Sequence, residues 1–154
     1  MDIYHNIEEG LPFEDNTFDY VFADNVLEHV KNIFFILDEI NRICKNGAII
    51  EIYVPHYSGM YSLKHLAHYR YYGVCSFDML CGETFAGEKY NKTEFKLLDE
   101  KLPFWAHDSG KFKLIYKLFP DYIFNLNNLW QRLLEMFFIF GFDERYCKLK
   151  VVRD

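Results

Sequence analysis

Apolar and polar positions follow two different rhythms along the first third of the chain. Leu11, Pro12 and Phe13 form an apolar lead-in that the turn formers Glu14, Asp15 and Asn16 stop. Residues 18–23 (FDYVFA) are a short, mostly apolar run, the pattern of a strand covered on both faces in a parallel sheet, and Asp24 and Asn25 end it. Val26, Val30, Ile33, Leu37 and Ile40 then step by three and four residues, which predicts a helix burying one face. Asp24 or Asn25 is positioned to cap it. The helix is expected to run to about Cys44 and to stop at Asn46-Gly47, with Arg42 and Lys45 near the negative end of its dipole. Residues 48–54 (AIIEIYV) predict a second buried strand, closed by Pro55 and His56. In open α/β sheets ligands bind outside the carboxyl ends of strands, so Asp24, Asn25, His29 and His56 fall beside a crevice.

Beyond the second strand the pattern becomes aromatic. Residues 55–92 form a loop or lid carrying His56, His65 and His68 among Tyr57, Tyr61, Tyr69, Tyr71 and Tyr72, with a short helix expected at residues 76–81 and a polar loop after it. Residues 93–104 alternate in part as a strand does, Pro103 ends it, and residues 105–113 carry a turn. The span 115–142 has a helix start at Pro120 and a density of Trp130, Leu133, Leu134, Phe137, Phe138 and Phe140 too high for a solvated face. An interfacial membrane helix and a substrate cap both fit that density; the few basic residues, Lys117 and Arg132, make attraction to anionic lipid weak. Residues 146–152 (YCKLKVV) alternate around Lys148 and Lys150 as a final strand.

Composition narrows the class. A chain of 154 residues with 51% hydrophobic and 26% charged positions is a single globular domain's worth, 1–154. A formal charge of -6 with no Lys/Arg cluster argues against nucleic acid as partner. No apolar run reaches the length of a transmembrane segment, and no signal peptide is expected before the fold. Cys44, Cys75, Cys81 and Cys147 form no C-x-x-C pair and fit reduced thiols, so a cytoplasmic location is expected.

The succession LPF, acidic turn, FDxV, LEHV, a Lys-Asn-Gly turn and an apolar strand ending in VPH resembles the second half of a class I S-adenosylmethionine (SAM) dependent methyltransferase domain of the type 11 kind. The downstream PHYS, LAHYR and SFD are similar to a microbial subgroup with P-H-F-S, D-P-x-H and S-F at the same intervals. The resemblance implies an α/β, Rossmann-like methyltransferase sheet, mostly parallel with antiparallel C-terminal strands. It also implies SAM as cofactor and a small-molecule or lipid-like acceptor. Two parts of the family pattern are absent from the sequence: the G-x-G-x-G loop and the acidic residue that holds the ribose. The domain is therefore expected to be N-terminally truncated, with an apolar strand left at a sheet edge. A second chain supplying the missing strands, a degenerate gene and an internal start in a longer frame each account for this, and a homo-oligomer is a further expectation. The alternative to an enzyme is a non-catalytic remnant or partner subunit that does not bind SAM by itself.

By the same resemblance, Asn6, Ile7, Ala23, Asp24 and Asn25 fall on the cofactor side. Residues 2–7 would end a strand at Asn6, where the family has an acid that accepts a hydrogen bond from adenine; an Asn at this place also simply opens a turn. His29, His56 and His68 are the candidate catalytic bases, because imidazole titrates near neutrality. For His29 the competing role is local packing beside Glu28 at a helix N-terminus. Tyr57, Arg70 and Trp130 are the expected acceptor-binding residues. His65 and Leu66 replace the subgroup's Asp-Pro, which removes a carboxylate that would orient a nearby His. His65-x-x-His68 has metal-ligand spacing, but no Cys or carboxylate stands at matching spacing, and no metal is expected.

Overall fold

The computed structural model of the protein describes residues 3–81, 95–102, 125–137, 142 and 144–153. The expected polar loop through residue 91, the turn at 105–113 and the helix start at Pro120 lie outside the described residues.

Four strands form one sheet: β1 (Phe18–Asp24), β2 (Cys44–Pro55), β3 (Phe95–Lys101) and β4 (Glu144–Val151), in the order β1-β2-β4-β3. β1 and β2 are parallel, whereas β4 runs antiparallel to both its neighbours. The parallel start and antiparallel C-terminal end are those of the expected α/β sheet. Helix α1 (Ile33–Ile43) connects β1 to β2 and buries Ile36, Leu37, Ile40 and Ile43 against them. Ile50, Ile52, Val54, Cys147 and Leu149 supply the sheet's central, fully buried rows. A short helix α2 (Met60–Lys64) follows β2, and α3 (Asn128–Phe137) lies within the predicted cap, started by the Asn127 side chain accepting the Trp130 N–H at 2.8 Å. All four cysteines are free thiols. Among the described residues no helix is long and apolar enough to cross a membrane.

Four local expectations are corrected. The helix starts at Ile33, capped by Asn32 and not by Asp24 or Asn25; residues 27–29 form a separate 3-10 turn and Val30 is extended. The reason is competition for the backbone. The Glu28 carbonyl accepts Tyr69 N–H at 2.8 Å, the Val30 and Lys31 carbonyls accept the Arg70 guanidinium, and the Lys31 N–H donates to the Glu8 carboxylate at 2.6 Å. A helix through this stretch would need those groups for its own ladder. Second, α1 ends at Ile43 and Asn46-Gly47 lies inside β2. Phe18 pairs with Cys44 but Tyr20 with Ile49, so the intervening β2 residues bulge, and Gly47 supplies the positive φ of 86° that the bulge requires. Third, residues 3–6 are not a strand end: Ile7–Glu9 is a 3-10 turn whose N-cap is Asn6. The expected short helix at 76–81 is reduced to a 3-10 turn, Asp78–Leu80.

β1 has one strand neighbour among the described strands. Phe18, Val21, Leu11 and Phe13 line an apolar groove of ≈ 390 Å³ between its outer side and α1. Arg42 holds the lead-in segment onto α1, donating to the carbonyls of Leu11 and Phe13 and to Glu39 and Asp15.

Candidate functional site

The carboxyl end of β1 opens onto a cavity of ≈ 420 Å³ lined by His5, Asn6, Ile7, Glu8, Asn25, Val26, His29 and Val30. Four predicted site residues meet there: Asn6, Ile7, Asn25 and His29. Asn25 adopts φ 51°, a left-handed conformation that Asn tolerates better than most residues, and its N–H donates to the Tyr53 carbonyl at the end of β2. Its side-chain amide donates to the exposed Asp24 carboxylate at 2.8 Å. The Asn6 carboxamide is engaged in its own turn, accepting Glu8 N–H at 3.2 Å and donating to Glu9 at 3.1 Å. Ala23 is buried on the other side of β1, lining the apolar groove.

His29 connects this cavity to a cluster of three imidazoles. Its ring centroid is 4.8 Å from that of His68 and 5.2 Å from that of His65, and His65 stacks on His68 at 4.7 Å. His29 Nδ1 lies 3.2 Å from the Ala67 carbonyl and His68 Nδ1 lies 3.1 Å from the Ser62 carbonyl. A carbonyl only accepts, so in both rings Nδ1 carries a proton, and in the neutral ring Nε2 is then the nitrogen with the lone pair. Glu28 is 1% exposed, and its carboxylate has no hydrogen-bond partner among the described residues; its Oε1 lies 3.7 Å from His29 Nε2. Burial pushes this carboxyl's pKa up. Tyr72 donates its hydroxyl to the Leu27 carbonyl at 3.1 Å, and with Tyr69 and Arg70 this pins residues 67–72 over the 3-10 turn. Both terminal nitrogens of Arg70, a predicted acceptor-binding residue, are spent on that attachment.

His56 belongs to a different environment. It is fully buried, and the Ser58 N–H donates to its Nδ1 at 3.3 Å while the Ser58 hydroxyl lies 2.8 Å from the same atom. Its ring lies tilted against that of Tyr57 with centroids 4.6 Å apart and meets the edge of Phe142 at 5.5 Å. Phe142, Leu102 and Leu134 form the second apolar cluster, against which Trp130 packs. The structure thus joins His29, His68 and Arg70 in one place and His56, Tyr57 and Trp130 in another. Glu28 and His65 are the site residues that sequence reasoning passed over: one read as a favourable helix start, the other as half of an unsupported metal motif.

Residues 3–52 match the methyltransferase domain family. Over 45 residues the chain is 58% identical to an uncharacterized protein of Methanocaldococcus jannaschii, covering 29% of this chain and 20% of that protein. Over 124 residues it is 30% identical to the sterol 24-C-methyltransferase of Schizosaccharomyces pombe, covering 78% of this chain and 32% of the relative. The chain therefore spans a third or less of the length of these two relatives. In fold it is similar to a Bacillus halodurans protein described as a methyltransferase, with a TM-score of 0.54 at 14% identity over 94% of this chain and 69% of the other.

Proposed function

We propose, from the premise that residues 3–52 belong to the methyltransferase domain family and the sheet to the class I fold, that the chain is the acceptor-side portion of a SAM-dependent methyltransferase. The acceptor is a small molecule or lipid-like compound. The observation carrying this reading is the convergence of Asn6, Asn25 and His29 on one cavity at the carboxyl end of β1, a strand paired in parallel with β2, the side on which ligands of such sheets bind. When bound, SAM supplies an electrophilic methyl group. In that setting the amides of Asn6 and Asn25 orient the cofactor, and His29 Nε2, with its lone pair fixed outward by the Ala67 carbonyl, accepts the acceptor's proton.

The fit to SAM is partial. No glycine loop is present in the sequence, and the Asn6 side chain is already satisfied within its turn. The side of β1 that has no strand neighbour among the described residues, with its apolar groove, is where a complementing strand and helix from a second polypeptide would dock. The same two features favour the second reading, a partner subunit that does not bind SAM alone.

Calorimetric titration of the chain with SAM, alone and together with a polypeptide carrying the strand, glycine loop and helix of this fold, separates these readings. The expected result is no binding by the chain alone and saturable binding once complemented. Micromolar binding by the chain alone removes the need for a second part, and no binding in either form leaves the non-catalytic reading standing.

A further inference from the structure

The geometry points to a binding site for a divalent transition ion of the zinc class, held by His29, His65 and His68 with the buried carboxylate of Glu28 as its charge partner. One ligand nitrogen from each of the three histidines lies within 4.8 Å of the others. Tetrahedral zinc, with Zn–N of about 2.1 Å, sets its ligand nitrogens about 3.4 Å apart, so closure needs a displacement of about 1 Å. His65 is exposed and stacked on His68 at an interplanar angle of 20°, so it is the ring that turns in. Exposed side chains make such rotations freely.

Three further observations support an ion here. First, two of the three imidazoles already donate Nδ1–H to a backbone carbonyl, the arrangement that fixes the tautomer and aims Nε2 at a metal. Both carbonyls, of Ser62 and Ala67, come from the segment that also carries His65 and His68, so ligands and supports are positioned together. Second, the unpartnered Glu28 carboxylate faces His29 Nε2, the nitrogen that would bind the ion. An anion buried without hydrogen bonds is costly, and a neighbouring cation removes that cost. Third, the segment 67–72 is tied down by Tyr69, Arg70 and Tyr72, so the cluster is built on fixed backbone. Imidazole nitrogens suit zinc, and three protein ligands are the number that leaves a coordination position open to water or an acceptor atom. The sequence lacked a Cys or carboxylate at matching spacing; the fold brings a histidine and a glutamate from the turn after β1 instead. The site stands independently of methyl transfer.

The test uses the tag-free full chain, stripped with chelator and titrated with Zn²⁺ against a chromogenic competitor, with Co²⁺ absorption reporting the ligand geometry. One ion per chain is expected, with a dissociation constant on the order of micromolar or tighter. His65→Ala and His68→Ala should each weaken binding by at least about tenfold, and Glu28→Gln by about tenfold. His5→Ala, outside the cluster, should leave affinity unchanged. No binding by the unaltered chain, or equal affinity in His65→Ala, overturns the site. Because His65 is exposed, its variant decides the matter even if His68→Ala fails to fold by circular dichroism. The readout involves no methyl donor, so it succeeds or fails separately from the SAM titration.

Discussion

Two carboxylates are buried almost equally deeply in this protein and are treated in opposite ways. Glu100 on β3 is 8% exposed and pairs with the guanidinium of Arg145 on β4, itself fully buried. Glu28, after β1, is 1% exposed and faces an imidazole across 3.7 Å. Burial pushes Arg145 down to about 10, still cationic at neutral pH, so the C-terminal strand pair encloses a matched ion pair. At the other end, burial pushes Glu28 up with no guanidinium to oppose it. A buried ion pair costs desolvation twice, and the mutual attraction of Glu100 and Arg145 offsets part of that cost, which ties β3 to β4. A buried carboxylate with no hydrogen-bond partner among the described residues is relieved by a proton or by a bound cation, which is why such groups are candidates for chemistry.

The largest expected effect tests the matched side. Arg145→Met leaves Glu100 buried and alone and should cost about 3–5 kcal/mol in urea denaturation, while adding Glu100→Gln should restore much of it. A single-variant loss under about 1 kcal/mol would dissolve the contrast.

Glu39 is the intermediate case, partly exposed and held by Arg42, whose hydrogen bonds lower its pKa to about 2. A depressed carboxyl contributes stability that is present above its unfolded pKa and is lost as pH falls through the folded value. Thermal denaturation between pH 4.5 and 2 should therefore show a loss of about 1 kcal/mol that Glu39→Gln abolishes, the size set by solvent screening. If the variant keeps the same acid slope, the pair is ornamental.

The smallest effect has the opposite sign. Glu28 is raised, so its cost to the metal-free fold is absent below the unfolded pKa and appears as pH rises through the folded one. Glu28→Gln should raise the melting temperature at pH 7 modestly, by less than about 1 kcal/mol of stability, and leave it unchanged at pH 4. Destabilisation at pH 7 would mean that the carboxylate is already compensated without an ion.

The strands were legible because burial imprints itself on composition: the runs FDYVFA, AIIEIYV and YCKLKVV each fall within an observed strand or overlap it closely. The helix start was not. Val26 and Val30 keep the helical spacing of Ile33 and Leu37, yet the backbone between them is bonded to Glu8, Tyr69 and Arg70, partners distant in sequence. The site was legible to the same extent. Asn25 and His29 follow from strand ends, whereas the meeting of His29 with His65 and His68 depends on the path of the segment after α2, which no periodicity encodes. Trp130 and His56 were expected in one pocket with His29, but Phe142 draws them into a separate apolar cluster.

Arg153 spans the whole described fold. Its guanidinium donates to the Cys44 carbonyl at 2.9 Å across 109 positions of sequence, and also to Asn41 and Asn16. β1, α1 and β2 need only local loop closures, whereas this contact waits on the docking of β4 beside β2. Its sequence separation therefore predicts a contact that forms late on the folding route. A substitution at Arg153 therefore acts on how fast the native chain opens and hardly on how fast it forms, so its signature lies in the unfolding limb of the chevron.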